Sequence, residues 1–227
     1  MRLLGSRVLP HDTVKTTCPP AALVSGAGPT ILVPSLMRSG THLLLDALFN
    51  NFPALRRRPL FVDFDAYERA KLPVAPLRTL SGVIIKTHFP ETCLAETYIP
   101  ALKELAGSTL VLTPRRPATE VRKSLAKWGQ HFSVEEFAEI ETRFIAFWKP
   151  YSPVFVDFSA LLDPVKIESV IGLISQRTGL EPARKTPVMP RRHRVGVYFD
   201  KMLTRAFGAR APRINTTIGF KLRATRL

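Results

Sequence analysis

Five short apolar runs, each followed by a stretch of helical spacing, constrain this chain more than any other feature of its sequence. "ILV" at 31–33, "LFVDF" at 60–64, "GVIIK" at 82–86, "TLVLT" at 109–113 and "VFVDF" at 154–158 read as strands, because they are short, rich in β-branched and aromatic residues, and bounded by turn formers. Between them, residues 41–50 carry Leu44, Leu45 and Leu48 at helical spacing, and residues 96–105 and 119–128 are short amphipathic segments. Residues 133–148 open with the capping-box pattern "SVEE", and residues 164–178 form a helical stretch closed by Gly179. Near-continuous apolar strands alternating with helices require a sheet covered on both sides. The expected fold is therefore α/β and three-layered, a mainly parallel five-stranded sheet with helices on both faces. Ligands of such sheets bind where the strands end, at their carboxyl edge.

Length and charge set the organisation. At 227 residues and 45% hydrophobic, the chain can build one full core. Residues 1–29 are rich in Pro, Gly, Ser and Thr and are expected to form a poorly ordered arm, residues 30–182 the α/β domain, and residues 183–227 a basic C-terminal segment. That last segment holds 12 of the 33 Lys and Arg residues and one of the 18 Asp and Glu residues, a formal +11 of the total +15. So lopsided a charge suits a polyanionic partner, such as nucleotide phosphates, nucleic acid or an anionic surface, and packing it inside would demand acidic partners that the rest of the chain lacks. The expectation is a basic cover or docking surface outside the core. No apolar run approaches the roughly 18 residues of a membrane span, and Arg7 and Pro10 interrupt the N-terminus before a signal-peptide core can form. A soluble, cytoplasmic protein is the expectation. Cys18 and Cys93 lack metal-ligand spacing and receive no role.

The strand ends carry the chemistry. After Val33 the chain turns through "SLMRSGTH" into a helix, which puts the N–H groups of Ser39, Gly40, Thr41 and His42 at or near a helix N-terminus. Unpaired N–H groups and the positive end of the helix dipole attract anions. Gly40 lets a phosphate approach the backbone, Ser39 and Thr41 offer hydroxyls, and Arg38 adds a cation with several donors. The stretch lacks the Walker A pattern, since Thr41-His42 follows Gly40 where Lys-Ser/Thr is required. "KTH" brings Lys86, Thr87 and His88 to the same edge, where His88 suits proton abstraction near neutral pH and Lys86 can balance developing charge. "PRRPATEVRKS" supplies Arg115, Arg116 and Ser124, a second place to hold a phosphate.

These segments, in this order, resemble the sulfotransferases that use 3′-phosphoadenosine 5′-phosphosulfate (PAPS), whose fold is P-loop-like. "RSGTH" at 38–42 is similar to the family's 5′-phosphosulfate loop, "KTH" at 86–88 to the segment holding its general base, and "RRPATEVRKS" to its 3′-phosphate segment, in which an Arg precedes a Ser by eight residues. Arg116 gives that step to Ser124, whereas Arg115 better fits the Arg-x-Pro order and is kept as the alternative. "VFVDFSALLDPVKIESVIGLISQRTGL" resembles a later strand-loop-helix, so the likeness spans about residues 30–181. It departs at Leu43, where many members carry an aromatic that stacks on adenine, and in lacking a legible C-terminal segment that closes over the 3′-phosphate, for which "RRHRVG" at 191–196 could substitute cations.

The resemblance implies a PAPS-dependent transfer of a sulfuryl group to a hydroxyl or amine, with no metal required. His88 would accept the acceptor's proton, Arg38 would stabilise the leaving phosphate, and Lys86 would hold the sulfuryl oxygens. Arg38, Ser39, Gly40, Thr41, His42, Ser124 and Arg116, or Arg115, would bind the nucleotide. Two other readings stand beside it: a noncatalytic polyanion-binding α/β protein that docks nucleic acid or anionic membrane through its basic tail, and a P-loop-type kinase, which the missing Walker lysine disfavours.

Overall fold

The computed structural model describes residues 28–57 and 60–216; the arm expected over residues 1–29 lies almost wholly outside them. Five strands, β1 (Ile31–Pro34), β2 (Phe61–Asp63), β3 (Ile84–Thr87), β4 (Leu110–Arg115) and β5 (Val154–Asp157), form one sheet in the order β2-β3-β1-β4-β5. All four pairings are parallel. Among the described residues eight α-helices accompany them: α1 (Thr41–Asn51), α2 (Phe64–Arg69), α3 (Ala75–Arg78), α4 (Ile99–Ser108), α5 (Ala118–Ala126), α6 (Val134–Trp148), α7 (Lys166–Thr178) and α8 (Arg194–Phe207). Among the described residues no helix is long and apolar enough to cross a membrane.

Alternate residues of each strand feed opposite sides of the sheet, as the pleat dictates. Ile31, Val33, Phe61, Ile84 and Leu112 pack with α1 and α7 in one core, while Leu32, Val62, Ile85 and Val111 pack with α4, α5 and α6 in another. Both layers of apolar side chains are therefore closed, as the three-layer expectation required. Because the connection after β1 leads to β2 on one side and that after β4 leads to β5 on the other, the order reverses between β1 and β4. A crevice opens at such a reversal.

Local chemistry explains where elements begin and end. The run 60–64 yields only three strand residues because the Asp63 carboxylate accepts a hydrogen bond from the Ala66 N–H at 3.2 Å and starts α2. The helix expected over 96–105 begins at Ile99, with Pro100 in its first turn, where a missing N–H costs nothing. α6 begins with the reciprocal Ser133–Glu136 capping box, and α7 ends at Gly179 with φ 68°, a left-handed C-cap.

The C-terminal segment departs from the expectation of a cover outside the core. Ala211 and Ile214 are buried in the α1–α7 core, and the buried amides of α1 hold the segment in place. Asn50 accepts from the Ile214 N–H at 2.9 Å and donates to its carbonyl at 2.8 Å; Asn51 does the same with Val188 at 2.7 and 3.0 Å. Asp46 accepts from both the N–H and the hydroxyl of Thr216. The inserted residues Ala211, Ile214, Asn215 and Thr216 are neutral, and the arginines between and before them stay out of this interior. Replacing Asn50→Ala strands a buried N–H and carbonyl of Ile214, and chemical denaturation should show a loss of about 1–3 kcal/mol.

Candidate functional site

The loop between β1 and α1 is shaped by two residues with positive φ, Arg38 at 66° and Gly40 at 115°. Between them Ser39 folds back, its N–H and its hydroxyl both donating to the Leu36 carbonyl at 3.2 and 2.7 Å. Ser39 therefore braces the turn. The Thr41 hydroxyl lies 2.6 Å from that of Ser35, and the His42 ring turns toward the C-terminal segment, with Nδ1 3.0 Å from the Thr216 hydroxyl. Gly40 stands at the N-cap of α1 and supplies no side-chain cap, so the first turn presents backbone donors in a positive dipole field. A Cβ at Gly40 would lie 2.5 Å from Cδ2 of Phe158. Glycine is demanded there by both the backbone angle and the ring above it.

Cations gather on the β4 side of this loop. The Arg38 Nε donates to the Ser124 hydroxyl at 2.9 Å, and its guanidinium lies 4.6 Å from the Trp128 ring centroid. Arg116 donates to the Arg38 carbonyl at 3.3 Å, pairs with Glu120 at 2.9 Å and stacks on Phe158 at 4.5 Å. Arg192 lies over the same Phe158 ring at 4.9 Å. Partial burial, then the nearby Arg116 charge, lowers the pKa of Arg38. Of the two arginines at the end of β4, Arg116 joins Arg38 and Ser124, whereas Arg115 is exposed; both edge a cavity of ≈ 170 Å³. Apolar side chains, among them Leu36, Val121, Phe137 and Phe144, form much of its wall, and the buried Thr113 hydroxyl that faces it has no hydrogen-bond partner.

His88 reaches the loop from β3. Its Nδ1 lies 2.6 Å from the Ser35 carbonyl and 3.3 Å from the Ser35 hydroxyl, so a proton on Nδ1 is donated to the carbonyl and the lone pair stays on Nε2. Asp65 fixes the backbone there, accepting from the His88 N–H at 2.8 Å and the Thr87 hydroxyl at 2.7 Å. Burial, then the Lys86 charge, lowers the His88 pKa below its ordinary 6.5, against the opposing pull of Asp65. The ring is neutral at neutral pH. Lys86 is buried with its ammonium 2.6 Å from Asp63, which places that charge against a carboxylate and away from any ligand at the loop. Glu91 completes this side: its Oε2 accepts from the Met37 N–H at 2.6 Å, and burial, with help from Asp65, raises its pKa to about 7.

Arg38, Gly40, Thr41, Arg116, Ser124 and His88 thus meet at one edge of the sheet, while the side chains of His42 and Lys86 face other partners. Sequence reasoning missed Trp128, Phe158 and Glu91. Helical spacing in the sequence suits Trp128 to a core stripe, yet it is 52% exposed, because α5 ends at Ala126 and Gly129 turns the chain at φ 77°. The available signals were Gly129 for Trp128 and, for Phe158, its place one residue beyond a strand end. Comparison with protein-family models, with curated proteins and with solved structures returned no match.

The depressed His88 pKa has a definite sign in stability. Unfolded, the ring takes up a proton below its ordinary 6.5; folded, it resists until lower pH. The stability contributed by neutral His88 is therefore complete above the unfolded value and is lost as pH falls toward the folded one. An NMR titration should find the ring of His88 still neutral at its ordinary midpoint, and the pair Lys86→Met with Asp63→Asn should move its midpoint upward. Lys86→Met alone leaves Asp63 buried and unpaired and should cost about 3–5 kcal/mol in denaturation.

Proposed function

We propose that this protein transfers a sulfuryl group from PAPS to a hydroxyl or amine acceptor. The observation that carries the reading is a neutral imidazole, its tautomer set by the Ser35 carbonyl, linked through Ser35 to an uncapped helix N-terminus with Arg38 beside it. Such a pair of features joins a proton acceptor to an anion cradle. In the proposed reaction the acceptor's oxygen or nitrogen attacks sulfur, its proton passes to His88 Nε2, and the bond from sulfur to the bridging phosphate oxygen breaks. Arg38 and the first-turn N–H groups of α1 take up the charge on that oxygen. The products are a sulfated acceptor and adenosine 3′,5′-bisphosphate.

Arg116 and Ser124, tied to each other through Arg38, suit the 3′-phosphate. Leu43 is buried in the core and offers no surface to a purine, whereas Trp128 and Phe158 present rings next to the cations. Lys86 takes a different part from the one the resemblance implied: locked to Asp63, it acts as a positioning residue that keeps His88 neutral.

Two measurements test the reading. Adenosine 3′,5′-bisphosphate without metal should raise the melting temperature where Mg·ATP does not, with about 2.7 kcal/mol of stabilisation at a hundred times its Kd; the reverse preference would favour a kinase, and no response to either would sink the proposal. His88→Ala should retain bisphosphate binding and lose about 10²–10⁴-fold in turnover.

A further inference from the structure

Helix α8 is turned inside out. Its inward face carries Val197, Asp200 and Thr204, at 7, 2 and 0% exposure, with Leu203 half-buried against the α1–α7 core, and polar ties help to hold it. Arg191 pairs with Asp200 at 3.2 Å, and the Thr204 hydroxyl accepts from the Asn215 N–H at 3.3 Å. The opposite face carries Val195, Tyr198, Phe199 and Met202, exposed by 71, 62, 58 and 69%. Spacings of four and three residues put Val195, Phe199 and Met202 in one stripe. Arg194, Lys201 and Arg205, at spacings of seven and four, line one flank; Arg194 is exposed, whereas Lys201, 5.4 Å from the Tyr198 ring centroid, and Arg205 are half-buried.

We propose that α8 docks the protein on an anionic lipid surface, lying in the interfacial plane with Val195, Phe199 and Met202 among the acyl chains and its basic flank among the headgroups. A helix of 14 residues with an apolar stripe beside a basic one has the chemistry of interfacial helices. Charge complementarity selects this occupant. The one carboxylate of the helix, Asp200, faces inward, so the outward side is wholly cationic; a second copy meeting it through the same face would bring like charges together. Nucleic acid would satisfy the cations and leave the apolar stripe in water. An anionic bilayer satisfies both.

The test is flotation of the full-length protein with phosphatidylcholine vesicles, with and without phosphatidylglycerol, at two salt concentrations. Flotation is expected only with phosphatidylglycerol and should weaken with salt. Phe199→Ser with Met202→Ser should abolish it while leaving circular dichroism and melting unchanged, since both side chains are exposed. Arg194→Gln with Lys201→Gln should weaken it by about thirtyfold and flatten the salt dependence. A wild-type protein that stays with the unbound fraction overturns the proposal. So does undiminished flotation of the Phe199/Met202 variant, or displacement of the wild type by single-stranded RNA, either of which would mark a purely electrostatic polyanion surface. A wild-type dimer that this variant turns into a monomer also overturns it, by assigning the face to a second copy. No nucleotide enters the assay, so its outcome is independent of the sulfuryl-transfer reading.

Discussion

The parallel register of β1 and β3 is the constraint on which the rest of the site depends. Pro34 lies opposite Thr87, and the Ser35 N–H donates to the Thr87 carbonyl at 3.0 Å. That one further rung brings the Ser35 carbonyl to the imidazole of the next residue, His88. A slip of a single residue would send His88 to the other side of the sheet and leave the β1–α1 loop with no imidazole beside it. Since β1, β2, β3 and β4 bury apolar side chains on both faces, such a slip would also disturb the core, and the hydrophobic pattern thereby protects the chemistry.

Charge is distributed around this edge in two different ways. On the β4 side, guanidiniums are held by stacking and by hydroxyl or carbonyl partners, with Glu120 the one carboxylate in contact, so their positive field remains available to an anion. On the β3 side, opposite charges are paired and buried: Lys86 meets Asp63, and Asp65 is occupied by Thr87 and the His88 backbone. A buried ion pair adds little net stability, because desolvation offsets the attraction. Here its effect is local: the Lys86 charge adds to burial in lowering the pKa of the neighbouring imidazole.

Much of this was legible in the sequence because the sheet is two-sided. Runs such as "GVIIK" have no polar alternation to confuse with a surface strand, and the turns after them carry Gly, Pro and capping residues that announce helices. The capping box at Ser133 and the glycine stop at Gly179 are local devices, and they appear where the sequence puts them. What remained hidden depends on partners distant in the chain. That Lys86 would be neutralised follows from the pairing of β2 with β3, which sets Asp63 beside it. That His42 would face Thr216 follows from a segment that begins as a run of arginines and was expected to lie outside the core. Helix α8 is absent from the sequence reading for a related reason: its apolar period is real, but the face it marks is the one turned away from the protein, and periodicity alone does not say which side a helix buries.

The amides of Asn50 and Asn51 close loops of 164 and 137 residues to Ile214 and Val188. These contacts cannot exist on a ribosome until Val188 and Ile214 have been made. Until then the amides of α1 have only their own helix, the Asp46 and Ala47 carbonyls, to hold. The chain can collapse around its strands early, yet it completes its first helix last. Synthesis of this protein therefore leaves the C-terminal end of α1 unbraced until Ile214 has been made, and a chain released before that point would display strands and basic loops without the segment that locks them.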